Sequence, residues 1–271
     1  MSSRPRRLNC VAVLSIGLLL VADVGAQPPA KKELSSPAQA RIQKKTYDFK
    51  DAGQEMEYGL FVPSTYDKAK KTPLMVALHG LGGNPQLMIH YPGLTDLAER
   101  HGYIVVAPMG YNPRGWYGAS VPRKNKTDPE NLSELSEQDV MNVLDIIRKD
   151  YTIDPDRIYL MGHSMGGGGT WHLGIKYPDL WAGLAPIAPA IYRPATEVEK
   201  IKHVPVILIQ GDQDKLVPVA GARRWAEQMK NFGMTYRYVE VAGGDHISIA
   251  FRHMPDVFEF FDRHKRPGRG D

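Results

Sequence analysis

Ile158-Tyr159-Leu160-Met161-Gly162-His163-Ser164-Met165-Gly166-Gly167-Gly168-Gly169 is the stretch on which the fold turns. Its first four residues form a continuous apolar run, as expected of a strand buried on both faces of a parallel sheet. Glycines two before and two after Ser164 permit a sharp turn where a Cβ would clash, and a helical pattern follows. A serine on such a strand-turn-helix element has a strained backbone and presents its hydroxyl at the edge of the sheet. The string G-x-S-x-G alone carries a real risk of chance occurrence, which this setting largely removes. The glycine run lacks the lysine of a phosphate-cradling P-loop, so phosphate binding is not expected.

Outward from this turn, short apolar runs alternate with helical periodicity. Leu74 to Leu78, Ile104 to Ala107, Leu184 to Ile187 and Val206 to Ile209 read as further buried strands. Tyr47 to Phe49, Tyr58 to Val62 and Tyr236 to Val241 read as strands too, the first two as an antiparallel edge. Val140, Val143, Leu144 and Ile147 fall at helical spacing, and Ser136 with Asp139 resembles a capping box at its start. Ala222 to Met229 and Met254 to Phe261 repeat the helical spacing. This alternation predicts a three-layer α/β fold with a mostly parallel central sheet.

A serine hydroxyl is a weak nucleophile near neutral pH and needs a base, which in turn needs an orienting acid. Both are expected after the serine in the chain. Gly211-Asp212-Gln213-Asp214 follows the strand Val206 to Gln210, and Gly243-Gly244-Asp245-His246 follows the strand Tyr236 to Val241. The expected triad is therefore Ser164, Asp214 and His246, with Asp212 as the competing acid and Asp245 as a turn residue. Two backbone N–H groups should stabilise the oxyanion. Met165 at the helix start and Leu81, in the loop His79-Gly80-Leu81-Gly82-Gly83, are the candidates. His79 reads as a structural loop residue and Trp171 as core.

Leu78-His79-Gly80, Asp154 to Tyr159 leading into Gly162 to Gly167, Tyr177-Pro178-Asp179 and Asp214 to Pro218 together resemble the α/β-hydrolase family. They are similar to its branch of secreted polyhydroxybutyrate-depolymerase-like and feruloyl-esterase-like carboxylesterases. The resemblance spans roughly Tyr58 to Phe261. It implies ester hydrolysis through an acyl-enzyme, without metal or cofactor. Ala188 to His203 is too short for a lid domain, so no cap domain and an open site are expected. Such a site suits bulky or polysaccharide-linked acyl esters. Tyr111, Trp116 and Tyr117 lie in the longest loop of the catalytic edge and could form an aromatic substrate-binding wall or simply pack that loop.

Arg4, Arg6 and Arg7 precede the apolar run Val11 to Ala22, and Val24-Gly25-Ala26 offers a small-residue cleavage site. Residues 1–26 therefore read as a signal peptide, predicting a secreted or periplasmic protein without stable membrane insertion. Cys10, the single cysteine, would leave with it, so neither disulfides nor a thiol nucleophile are expected. Residues 27–45 read as a linker, 46–262 as the catalytic domain and 263–271 as a basic, solvated tail.

The chain has 271 residues, 42% hydrophobic and 24% charged, as in ordinary globular proteins. A net charge of +4 is too small for a dedicated nucleic-acid binder. The nine histidines form no His-Glu-x-x-His pattern, so a zinc site is not expected. The alternatives are a serine peptidase of prolyl-oligopeptidase-like type, which uses the same machinery on amides, or a catalytically inactive binding protein on the same fold.

Overall fold

The computed structural model describes residues 36–119 and 125–266, which fall in one compact unit, Ser35–Asp271. The described residues form eight strands, β1 Gln43–Phe49, β2 Gln54–Phe61, β3 Thr72–Leu78, β4 Ile104–Pro108, β5 Ile153–His163, β6 Gly183–Ile187, β7 Val206–Gly211 and β8 Tyr236–Val241. They form one sheet in the order β1-β2-β4-β3-β5-β6-β7-β8. The β1–β2 and β2–β4 pairs are antiparallel and the rest are parallel. The helices are α1 Pro85–Ile89, α2 Leu94–His101, α3 Leu132–Asp150, α4 Met165–Lys176, α5 Val219–Asn231, α6 Ser248–Arg252 and α7 Met254–Asp262.

Strand side chains alternate between two cores. On β3 and β5, Leu74, Val76, Leu78, Ile158 and Leu160 pack with α3, α4 and α5 on one face. Met75, Ala77, Tyr159 and Met161 pack with α1, α2, α6 and α7 on the other. Helix, sheet and helix make three layers, the α/β-hydrolase architecture. Both faces of the central strands are covered, which is why these segments are almost purely apolar in sequence. Trp171 lies in the first core, its ring 4.2 Å from that of Trp225. Between β6 and β7 there is a loop and the 3-10 helix Ala195–Ile201, with no inserted domain.

Three readings of the sequence are corrected by the structure. Helix α3 starts at Leu132, so Ser136 and Asp139 lie inside it and are buried rather than capping it. Ser136 Oγ donates to the Gly110 carbonyl at 2.7 Å and accepts from Tyr117 N at 2.8 Å. Asp139 accepts from Gly110 N and Tyr47 Oη, both at 2.6 Å. A polar pair at cap spacing is thus a clamp that holds the 109–119 loop to the domain.

The boundary of the linker also moves. β1 begins at Gln43 and Ala38 is buried, so residues 36–45 belong to the folded unit. Most of β1 is exposed at the sheet edge, which is why no apolar alternation marked its start. At the other end, Arg263 and Lys265 are exposed as a solvated tail would be, but residues 264 and 266 are held: Arg266 N donates to the Asp156 carbonyl at 2.9 Å, and Tyr159 Oη donates to that of His264 at 2.6 Å. The signal peptide, residues 27–35 of the linker and the tail from 267 onward lie outside the described residues. Among the described residues no helix is long and apolar enough to cross a membrane.

Candidate active site

Ser164 joins the end of β5 to the first turn of α4 with φ 58° and ψ −114°, a conformation that non-glycine residues rarely adopt. The surrounding bonds hold it there. Ser164 N donates to the Ile187 carbonyl at 2.9 Å, and the Ser164 carbonyl accepts from Gly168 N and Ala190 N at 3.0 Å. The flanking glycines are required by close approach. A Cβ on Gly162 would run into the Gly166 carbonyl, and one on Gly166 into the Leu78 carbonyl of β3.

His246 comes from the loop after β8 and Asp214 from the loop after β7. Both are buried, and His246 Nδ1 donates to Asp214 Oδ2 at 2.7 Å. The other carboxylate oxygen accepts from Leu216 N at 2.9 Å and Val217 N at 2.8 Å. Burial by itself would raise the Asp214 pKa, but these amides and the His246 ring outweigh it and hold the carboxyl below its usual range. Asp212 is directed elsewhere, accepting from Gly243 N at 2.8 Å. Asp245 accepts from the amides of Ile247 and Ser248, both at 2.8 Å, in the turn that opens α6.

Ser164 and His246 line one cavity of about 570 Å³, together with Leu81, Met165 and Trp116. Among the described residues no hydrogen bond joins Ser164 Oγ to His246, and such bonds often tighten only when substrate is present. Leu81 N and Met165 N have no hydrogen-bond acceptor among the described residues, which leaves both donors available to a ligand oxygen. The Leu81 loop is pinned by Gly83 N to the Gly80 carbonyl and by Gly82 N to that of Pro113, each at 2.9 Å. His79 is a structural residue, its ring nitrogens 2.8 Å from the Gly80 carbonyl and 2.9 Å from that of Met109.

The aromatic loop divides. Trp116 lines the cavity, its ring 5.3 Å from that of Tyr192. Tyr117 is fully buried against Gly169 of α4 and donates its hydroxyl to the His79 carbonyl at 3.1 Å. Tyr111 packs edge-on against Phe49, 6.5 Å away, on the side of β1. Neither tyrosine lines the cavity, because the Ser136–Asp139 clamp turns this segment inward.

Three residues at the site carried no signal that spacing could detect. Gln210, fully buried, donates Nε2 to Asp214 Oδ2 at 3.0 Å. His163 lies 2.8 Å through Nε2 from the His246 carbonyl and 2.9 Å through Nδ1 from Tyr91 Oη. A carbonyl can only accept, so Nε2 carries the proton and Tyr91 donates to Nδ1. Burial, with the charge of His246 adding to it, pulls the His163 pKa down to about 4. Strand β5 therefore tethers the loop of His246 through a neutral imidazole. His163 sits beside the serine in sequence and could have been suspected only as a neighbour.

Between the ordinary 6.5 and about 4, the unfolded chain binds a proton at His163 that the folded chain refuses. Stability is therefore full above 6.5 and falls as pH drops through that window, by about 3 kcal/mol in the limit. His163→Gln retains an N–H donor but does not titrate. Urea unfolding of the two proteins at several pH values should show a flatter slope for the variant between pH 4 and 6.5; parallel slopes would contradict this account.

With this geometry in place, comparison with known proteins gives the family. The family model described as "Putative esterase" matches residues 50–254, which takes in Ser164, Asp214 and His246. The chain belongs to this esterase family. Esterase relatives include "Putative esterase NocK" of Nocardia uniformis subsp. tsuyamanensis, 30% identical over 171 residues, 63% of this chain and 48% of that protein. A second is the bifunctional acetylxylan esterase/xylanase XynS20E of Neocallimastix patriciarum, 27% identical over 70% of this chain and 25% of the relative. The chain thus spans half or less of the length of these two esterase relatives. Among solved structures, a thermostable esterase superposes with a TM-score of 0.67 at 27% identity, covering 84% of this chain and 64% of that one.

Proposed function

We propose that this protein is a carboxylesterase that works through an acyl-enzyme on Ser164. The observation that carries the reading is the His246–Asp214 hydrogen bond of 2.7 Å beside a cavity that His246 shares with Ser164 and two unpartnered amides. In this reading Ser164 Oγ attacks the ester carbonyl while His246 Nε2 takes its proton. The carbonyl oxygen becomes an oxyanion that accepts from Leu81 N and Met165 N. Collapse of the tetrahedral intermediate expels the alcohol, which receives the proton from His246. Water, deprotonated by the same ring, then attacks the acyl-enzyme; expulsion of Ser164 Oγ releases the acid and regenerates the serine. Asp214 holds the ring in the tautomer whose Nε2 is free to accept.

The short connection between β6 and β7 leaves the cavity open, which suits a bulky ester, with Trp116 as one wall. An acyl group on a polysaccharide belongs to that range, as the name of the acetylxylan esterase/xylanase relative suggests. Export from the cytoplasm is part of the proposal and rests on the sequence of residues 1–26.

The test is covalent trapping. A fluorophosphonate should label the protein once, with the adduct on the peptide containing Ser164, and a 4-nitrophenyl ester should give a burst of one nitrophenolate per chain if deacylation is slow. A label elsewhere, or turnover of peptides but of no ester, would refute the carboxylesterase reading.

A further inference from the structure

Among the described residues five large apolar side chains stand well out into solvent, and all five line the cavity over Ser164. They are Leu81 at 59% exposure, Leu87 at 58%, Tyr192 at 61%, Leu216 at 73% and Ile247 at 51%. Single exposed apolar residues scattered over a surface need no explanation. Their concentration around one opening does, because contiguous exposed apolar surface marks a binding site.

The sheet order places the five on both sides of the nucleophile. β5, which carries Ser164, lies between β3 and β6. Leu81 and Leu87 belong to the connection after β3. Tyr192, Leu216 and Ile247 belong to the connections after β6, β7 and β8, on the opposite side of β5. An ester bond held at Ser164 therefore has an apolar wall on each side.

We infer that the preferred substrate is an ester flanked by apolar groups on both its acyl and its alcohol side. The inference rests on the carboxylesterase reading of Ser164 and narrows it, placing alkyl and aryl esters ahead of the polysaccharide-linked esters that an open cavity alone would also admit. An alcohol rich in hydroxyls, such as a sugar, would set them against leucine and isoleucine side chains that offer no hydrogen-bond partner, the Tyr192 hydroxyl being the one polar group among the five. An alkyl or aryl alcohol would instead gain the contact area of that wall.

Two butyrate esters, of hexanol and of a methyl xyloside, separate these cases because they share the acyl group. The wild-type kcat/KM should favour hexyl butyrate by about tenfold or more, through KM. In Leu87→Ser/Leu216→Ser/Ile247→Ser that preference should fall toward unity. Equal or faster cleavage of the xyloside ester, or a preference untouched by the triple substitution, overturns the inference. Hydrolysis of neither ester is a failure of the carboxylesterase reading, and the apolar walls are then judged by binding alone. The ketone in which a methylene replaces the ester oxygen of hexyl butyrate should bind Ser164→Ala, followed by NMR, and the triple substitution should weaken it about tenfold. Absent or unaltered binding overturns the inference. So does sedimentation showing that the same substitutions dissociate a dimer, which would make this surface a contact between two copies of the chain.

Discussion

Ser164→Ala is expected to lower ester turnover by about a millionfold, the loss typical of removing the nucleophile from a serine hydrolase triad. The backbone at this position is held by Ile187, Gly168 and Ala190 through bonds that use only backbone atoms, so the turn should survive the substitution. Alanine tolerates the positive φ about as poorly as serine, so the strain stays nearly unchanged. Circular dichroism and the melting temperature should therefore match the wild type. The residual rate would come from the Leu81 and Met165 amides, which act without the hydroxyl. The measurement is kcat for 4-nitrophenyl acetate in both proteins, with fluorophosphonate labelling alongside. An alanine variant within about a hundredfold of wild type would mean that the chemistry runs elsewhere.

Asp214→Asn should cost about 10⁴-fold in kcat with little change in KM, for a reason visible in the donors around the carboxylate. Leu216 N and Val217 N both point at Oδ1, so the asparagine oxygen will be drawn to that position. Its amide group then faces His246 Nδ1 and Gln210 Nε2, both donors in the native arrangement. The imidazole can meet a donor only by shifting its proton to Nε2, the nitrogen that accepts from Ser164 in the proposed mechanism. Asp212→Asn makes the matching control. Its Oδ1 accepts from Gly243 N, a role an asparagine oxygen can keep, so activity should be largely retained. Comparing kcat for the two variants decides between the acids. Equal losses, or a larger loss at Asp212, would reject the assignment.

The legible parts of the fold share a physical cause. Leu74 to Leu78 and Ile104 to Ala107 are buried on both faces of the sheet, so nearly every residue had to be apolar and the runs were conspicuous. β1, exposed at the edge over most of its length, has no such constraint and carries a strand pattern only at its last three residues. Ser136 and Asp139 misled because cap chemistry and clamp chemistry use the same residue types. Only the arrival of Gly110 and Tyr117 from another segment distinguishes them. Tyr111 and Tyr117 likewise fit either a substrate-binding wall or loop packing from their place in a catalytic-edge loop, and the clamp decides for packing.

The sequence by itself determined the strand-turn-helix around Ser164, the order of serine, acid and histidine, and the alternation that builds the layers. These follow from steric limits on short peptides and from the periodicity of burial, both of which act along the chain. Tertiary structure alone decided that Asp214 rather than Asp212 meets His246, that His163 holds the His246 loop, and that the exposed leucines gather around one cavity. Each depends on loops from separate strands converging at the carboxyl edge of the sheet. Distances between such loops are set by the packing of the whole sheet and its helices, and spacing within any one segment carries no record of them.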